Sequence, residues 1–338
     1  MSPSTPAGVA LAIVAGFMSG NCMLPSKFLR SWRWENMWAI FSLFSLAVLP
    51  WGLALLFVSH LATVYRSLPI TVFIAPIGFG MCWGVAQILF GISCARLGLS
   101  LAYAIIVGMG AALGTLVPML ATQGNALPIS TLFLVLAGIL LMAIGIALST
   151  WSGRLRERQS EGASAPPDGR GYRSAVLIAI LCGLMAPMLN YSFAFGQEIA
   201  RKSVALGNSP LLAAYAVWPI GLAGGFVPNA AYCLYCLRRN RSWAEFRRPF
   251  PDLSYSTLMA VLWMGAFAVY GMSAALLGDL GTSIGWGLFQ IFMIMTASLS
   301  GLLTGEWRRA SIKSRMFLAG GMLFLLIATL LLTAANRH

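Results

Sequence analysis

Ten apolar stretches follow one another along this chain, and its basic residues fall almost entirely in every second gap between them. The stretches run over 7–24, 36–58, 70–94, 98–120, 129–150, 173–196, 210–236, 255–277, 283–304 and 316–335. A helix crosses a hydrocarbon layer about 30 Å thick with roughly 20 residues, so each stretch suffices for one span. Nine acidic side chains in 338 residues, with a mean hydropathy of +0.82, leave no soluble solution that hides the apolar surface. The sequence therefore predicts an all-α integral membrane protein of ten transmembrane helices.

The gaps give an orientation. Of 22 Lys and Arg residues, 18 lie after odd-numbered stretches, among them Lys27, Arg96, Arg154, Arg238 and Arg315. The other gaps and the carboxyl end hold only Arg66, Arg201, Lys202 and Arg337. Retained positive charge marks the cytoplasm, which places both termini on the periplasmic side. The formal charge of +13 is thus a topology signal beside anionic lipid, and nucleic acid is not an expected partner. The first stretch lacks a basic leader region and reads as a span rather than a signal peptide. Six scattered cysteines and two histidines form no metal-ligand pattern, no catalytic constellation is visible, and no cofactor is expected. The chain does not read as an enzyme.

Residues 151–172 are polar and Gly/Pro-rich around 162–169, a cytoplasmic linker between a first half, 1–150, and a second, 173–338. The halves echo each other. Trp83, Ala86, Phe90 and Gly91 recur 180 residues later as Trp263, Ala266, Tyr270 and Gly271, and Leu97-Gly98-Leu99-Ser100 recurs as Leu280-Gly281-Thr282-Ser283. Gly16-Phe17-Met18 before Asn21 parallels Gly183-Leu184-Met185 before Asn190. An odd number of spans per repeat turns the halves upside down relative to each other, the arrangement of alternating-access carriers. Pro76, Pro187 and Pro219 are expected bends.

Few ionisable groups lie within the stretches, which fits a neutral polar substrate. Asn21, Gln87, Asn190, Asn229 and Gln290 offer amides, and Tyr103, Tyr191, Tyr215 and Tyr270 offer hydroxyls. Trp83, Trp218, Trp263 and Trp286 are set too deep for an interfacial belt, so aromatic faces for a sugar ring are available. Asn21, Gln87, Asn190 and Gln290 are expected to converge near the midplane. Trp32, Trp34, Trp38, Trp51 and Trp307 read as interface anchors. Glu198 is the candidate proton carrier, with a surface ion pair near Arg201 as the plain structural alternative; Lys27 and Arg96 sit at helix ends, where a gate contact with Glu306 is the functional alternative to snorkelling.

These residues carry a family resemblance. Leu24-Pro25-Ser26-Lys27, the run Trp32-Arg33-Trp34-Glu35-Asn36-Met37-Trp38, Met81-Cys82-Trp83-Gly84 and Arg96-Leu97-Gly98-Leu99-Ser100 are similar to segments of the bacterial L-rhamnose–proton symporters. So are Ala205-Leu206-Gly207, and Gly301-Leu302-Leu303 with Glu306-Trp307. The resemblance implies the drug/metabolite transporter superfamily fold, two inverted five-helix bundles, and proton-driven uptake of a deoxy sugar through the bacterial inner membrane. Its implied partners are a neutral sugar and a proton; membrane lipids are expected beside them, and the oligomeric state is open, with the monomer expected to be able to function. The chain departs from the family pattern at Gln87, Leu89 and Phe90 and near Ala266, Ala268 and Val269, so a different neutral substrate stays open. Two other readings also stand at this point, an exporter of small amphiphilic or cationic metabolites and a non-transporting membrane sensor.

Overall fold

A computed structural model describes residues 5–123, 128–159, 170–305, 307–308 and 310–336, and every regular element among them is helical. Lipid offers no partner for a backbone N–H or C=O, so a spanning segment must close its hydrogen bonds internally, as a helix does. Nine apolar helical runs among the described residues are long enough to cross a bilayer. One of them, Asp252–Leu303, holds two helices, α12 (Asp252–Leu277) and α13 (Gly281–Leu303), which turn at Gly278–Leu280.

The chain begins with α1 (Thr5–Asn21) and a short turn over Leu24–Phe28, then α2 (Trp34–Leu43) and α3 (Leu49–Phe57). A π-helical turn at Phe44–Val48 joins the last two. Pro50 follows it; proline lacks an N–H and crowds the carbonyl four residues back, and a wider turn relieves both. The short α4 (Leu61–Arg66) precedes α5 (Thr71–Leu97), α6 (Leu99–Gln123) and α7 (Ile129–Gln159). Where the sequence predicts a single sixth span there are three helices, α8 (Arg170–Met185), α9 (Met188–Phe195) and α10 (Gln197–Ala205). Pro187 and Gly196 stand at the breaks. Then come α11 (Trp218–Arg239), α12, α13 and α14 (Ile312–Ala335).

Two expectations, the bend at Pro219 and the start of the linker, are revised here, while Pro76 lies within a helix, as a bend there would require. Pro219 does not bend a helix but sits in the first turn of α11, where its missing N–H is harmless. Pro76 stays inside α5, with its carbonyl accepting from Ser192 Oγ at 2.8 Å. The linker does not start at residue 151, since α7 continues to Gln159, and the Gly/Pro-rich core of the linker lies outside the described residues. Ser152 in this extension exchanges hydrogen bonds with Ser314 of α14, and the Arg156 guanidinium lies 4.8 Å from the Trp307 ring centre. Trp307 is therefore buried rather than an interface anchor.

Helices α1, α12 and α13 pack together, as do α8 and α9 with α5 and α6; α7 pairs with α14, α11 with α5, and α6 with α13. Left-handed glycines, Gly98 (φ 80°) and Gly278 (φ 76°), end α5 and α12, positions where a side chain would be strained.

The arginine-rich face is fastened by two carboxylates. Asp252, fully buried at the start of α12, accepts from the backbone N–H groups of Arg30, Ser31 and Trp32 and from Ser31 Oγ, each at 2.8 Å. Glu35 Oε1 accepts from Ser242 Oγ at 2.7 Å and Asn240 Nδ2 at 3.0 Å. Trp32, expected at the lipid interface, is instead buried and donates to the Glu245 carbonyl. On the opposite face Asn208 and Ser59 exchange two bonds with no charge involved. Replacing Asp252 with Ala strands three N–H groups, each costing about 1–3 kcal/mol when left unpaired. The Asp252→Ala protein in detergent is expected to melt well below the unsubstituted protein, with Asp252→Asn between them. Identical melting of all three would show the clasp to be idle.

Candidate functional site

Beside the arginine-rich half, α2, α5, α11 and α12 enclose a small aromatic cage. It is lined by Met23, Trp38, Phe41, Ser42, Leu46, Trp83, Gln87, Asn229 and Trp263, around a cavity of about 50 Å³. On α2 the lining residues Trp38, Phe41 and Ser42 stand three and four apart, one helical face. Trp83 and Trp263, the pair related by the internal echo, stack at 5.6 Å and 25°. Phe41 meets Trp263 edge-on at 6.1 Å, and Trp38 packs on Phe41 at 4.8 Å.

Asn229 holds the cage in register. Its Oδ1 accepts from Trp38 Nε1 at 3.0 Å, while its Nδ2 donates to Gly225 O at 2.9 Å and reaches Gly84 O at 3.5 Å, tying α2, α11 and α5 together. It is a positioning residue with its bonding capacity in use. Gln87 differs. Among the described residues its amide has no partner, and it faces both the cage and a lateral cavity of about 260 Å³ shared with Trp34, Ile88, Gly91, Ile92 and Tyr232. The indole N–H groups of Trp83 and Trp263 also lack partners among the described residues. The cage thus offers uncharged donors and an acceptor beside flat apolar faces, the chemistry that holds a neutral polyol.

At the opposite face a wider vestibule of about 600 Å³ lies among the ends of α6, α9, α10, α12 and α13. Gln197, Glu198, Arg201 and Asp279 line it, with Phe193, Gly271 and Thr282 among the deeper residues. Glu198 and Asp279 are exposed, and among the described residues neither joins an ion pair. Ring contacts run from this floor to the cage: Phe193 stacks on Trp218 at 4.5 Å, Trp218 meets Phe267 at 5.5 Å, and Phe267 meets Trp263 at 4.4 Å.

The four amides expected to converge do not bond one another. Asn21 donates to Phe17 O and accepts from Ser300 Oγ, joining α1 to α13. Asn190, fully buried, donates to Gly114 O at 2.9 Å and Thr282 O at 2.8 Å and accepts from the Tyr270 hydroxyl at 2.6 Å. It is a four-helix knot beneath the vestibule. Tyr191 donates to Leu113 O, and Trp218 is buried in the ring stack. Tyr103 is half-buried against the α6–α7–α13–α14 cluster. Gln290 is buried with no hydrogen-bond partner among the described residues. Lys27 and Arg96 are exposed at helix ends on the arginine-rich face, and Glu306 lies outside the described residues.

Of the proposed lining, Gln87 and Trp263 fall in the cage, together with Trp83 and Asn229. Phe41 and Ser42 were not singled out from sequence, and Trp38 was placed at the interface; their i, i+3, i+4 spacing inside an apolar stretch was the available signal.

Packed helices, with nine apolar runs among the described residues long enough to cross a bilayer, define a multi-pass integral membrane protein. A model of the L-rhamnose-proton symport protein family (RhaT) matches residues 1–335, and the chain belongs to that family. It is 25% identical to the L-rhamnose-proton symporter of Cronobacter sakazakii and 24% identical to that of Escherichia coli, covering 97% of both chains in each case. A crystal structure described only as that of a protein is similar over 98% of both chains, with a TM-score of 0.56 at 15% identity, a likeness of fold.

Proposed function

We propose that this chain imports L-rhamnose or a related neutral deoxy sugar together with a proton across the bacterial inner membrane, by alternating access. The observation that carries the reading is the cage itself: stacked indoles and a Gln87 amide without a partner among the described residues, with no charged side chain in the lining. Family membership supports the same substrate and driving ion. At about 50 Å³ the cage has room for a few waters and must widen to admit a hexose.

Ten spans in two inverted five-helix repeats, one ending with α7 and the other beginning with α8, complete the reading, on the drug/metabolite transporter fold and with both termini periplasmic. The packing supports it. Exchanging the halves turns the α1 contacts with α12 and α13 into those of α8 and α9 with α5 and α6, and returns the α7–α14 and α6–α13 pairs to themselves. The two left-handed glycines, 180 positions apart, agree with the same exchange.

Glu198, in the vestibule, is the proposed proton carrier. Cells lacking their own rhamnose uptake, supplied with this chain, are expected to accumulate labelled L-rhamnose saturably and to lose accumulation on adding a protonophore. Glu198→Gln should stop uphill uptake while retaining counterflow, because exchange needs no net proton release. Accumulation indifferent to protonophore would overturn coupling, and concentrative uptake by Glu198→Gln would move the proton elsewhere.

A further inference from the structure

Hydroxyls inside these helices mostly bond back to a carbonyl of their own helix. Ser45 donates to Phe41 O, Thr115 to Ala111 O, Ser298 to Ile294 O and Thr329 to Leu325 O. Ser42 does not. Its side chain is 1% exposed, and its Oγ has no hydrogen-bond partner among the described residues. Other buried polar atoms share that lack, among them Ser93 Oγ, Ser203 Oγ and Trp218 Nε1, but Ser42 is the one of them that lines the cage. A buried hydroxyl without a partner destabilises the fold. Placed on a cavity wall with Gln87 and the Trp83–Trp263 stack, it is chemically matched to a hydroxyl that arrives with a ligand.

We propose that Ser42 is a specificity-determining residue of the cage, hydrogen-bonding one particular hydroxyl of the bound neutral sugar while the indoles cover its apolar face. The inference rests on the sugar-transport reading and deepens it. It has a signature that a packing role lacks: removing the hydroxyl should weaken binding without weakening the unliganded protein.

The test uses the purified full-length chain in detergent, with tryptophan fluorescence read during titration with L-rhamnose and with analogues each lacking one ring hydroxyl. Ser42→Ala is expected to bind L-rhamnose about tenfold more weakly, the effect of one hydrogen bond. It should also be indifferent to the loss of one specific hydroxyl that costs the unsubstituted protein about the same factor. Its unliganded melting temperature should equal or exceed that of the unsubstituted protein, and Ser42→Thr, which keeps the hydroxyl, should keep the preference among analogues. Unaltered rhamnose affinity in Ser42→Ala, equal losses across all analogues, or a lowered unliganded melting temperature would each overturn the assignment. If the unsubstituted protein binds no rhamnose, the transport reading fails and takes this inference with it; failure of Ser42 alone is recognised by normal binding in the unsubstituted protein.

Discussion

Gly80→Val is expected to remove folded protein from the membrane. The seam between α5 and α11 is closed by glycines at backbone contact: a Cβ on Gly80 would stand 1.9 Å from the Gly221 carbonyl oxygen, and one on Gly84 2.5 Å from that of Gly225. From the other side, a Cβ on Gly224 would stand 2.3 Å from the Ile77 carbonyl oxygen. Those neighbours are main chain within helices and cannot swing aside, so the helices must separate. Overpacking costs 1–3 kcal/mol where side chains can adjust; here the cost is expected to exceed about 3 kcal/mol, and Gln87, Trp83 and Asn229 would part company along with the seam. Gly78→Val is the control, on the same helix but with nothing within 4 Å of its added Cβ. Membrane accumulation and monodispersity after extraction are the readouts. Comparable behaviour of the two variants would show that close approach along this seam does not hold the bundle together.

The second large effect is expected at the cage. Trp263→Ala removes one face of the stacked pair, and Gln87→Leu removes the unpartnered amide while keeping much of the volume. Each should lower rhamnose affinity by about 2 kcal/mol, roughly 30-fold, and the double variant should show no measurable saturable uptake. Trp263→Phe should recover part of the loss because a ring face remains. Membrane accumulation is measured for all four proteins alongside affinity, because Trp263 also packs against Phe41, Trp83 and Phe267. Full uptake by the double variant would place the sugar path elsewhere.

The large-scale organisation was legible because the bilayer imposes it. Span length and the exclusion of charge are properties of composition along the chain, and nine apolar helical runs among the described residues overlap the predicted stretches. Breaks inside spans were less legible. A proline marks where a helix is stressed, yet Pro76 is accommodated, Pro187 stands at a break and Pro50 follows a π turn, outcomes that depend on neighbours. The site was half legible for a related reason. Polarity in an apolar stretch identifies Gln87 and Asn190 equally, but the sequence does not say who receives the hydrogen bond. Asn190 is consumed by Gly114, Thr282 and Tyr270, whereas Gln87 is left to the cavity. Ser42 is invisible in sequence because serine in a membrane helix is ordinarily satisfied by its own backbone.

The ring-to-ring chain from Phe193 through Trp218 and Phe267 to Trp263 also has an electrical consequence. These contacts, one face to face, one edge-on and one tilted, join the vestibule floor to the cage through side chains that have no carboxylate or imidazole to carry a proton. A charge crossing such a layer alone would have to shed its hydration, at a cost far above the roughly 2.3 kcal/mol that 100 mV of membrane potential contributes per elementary charge. On the proposed proton-coupled reading, sugar and proton would cross by a rearrangement of these rings rather than through them.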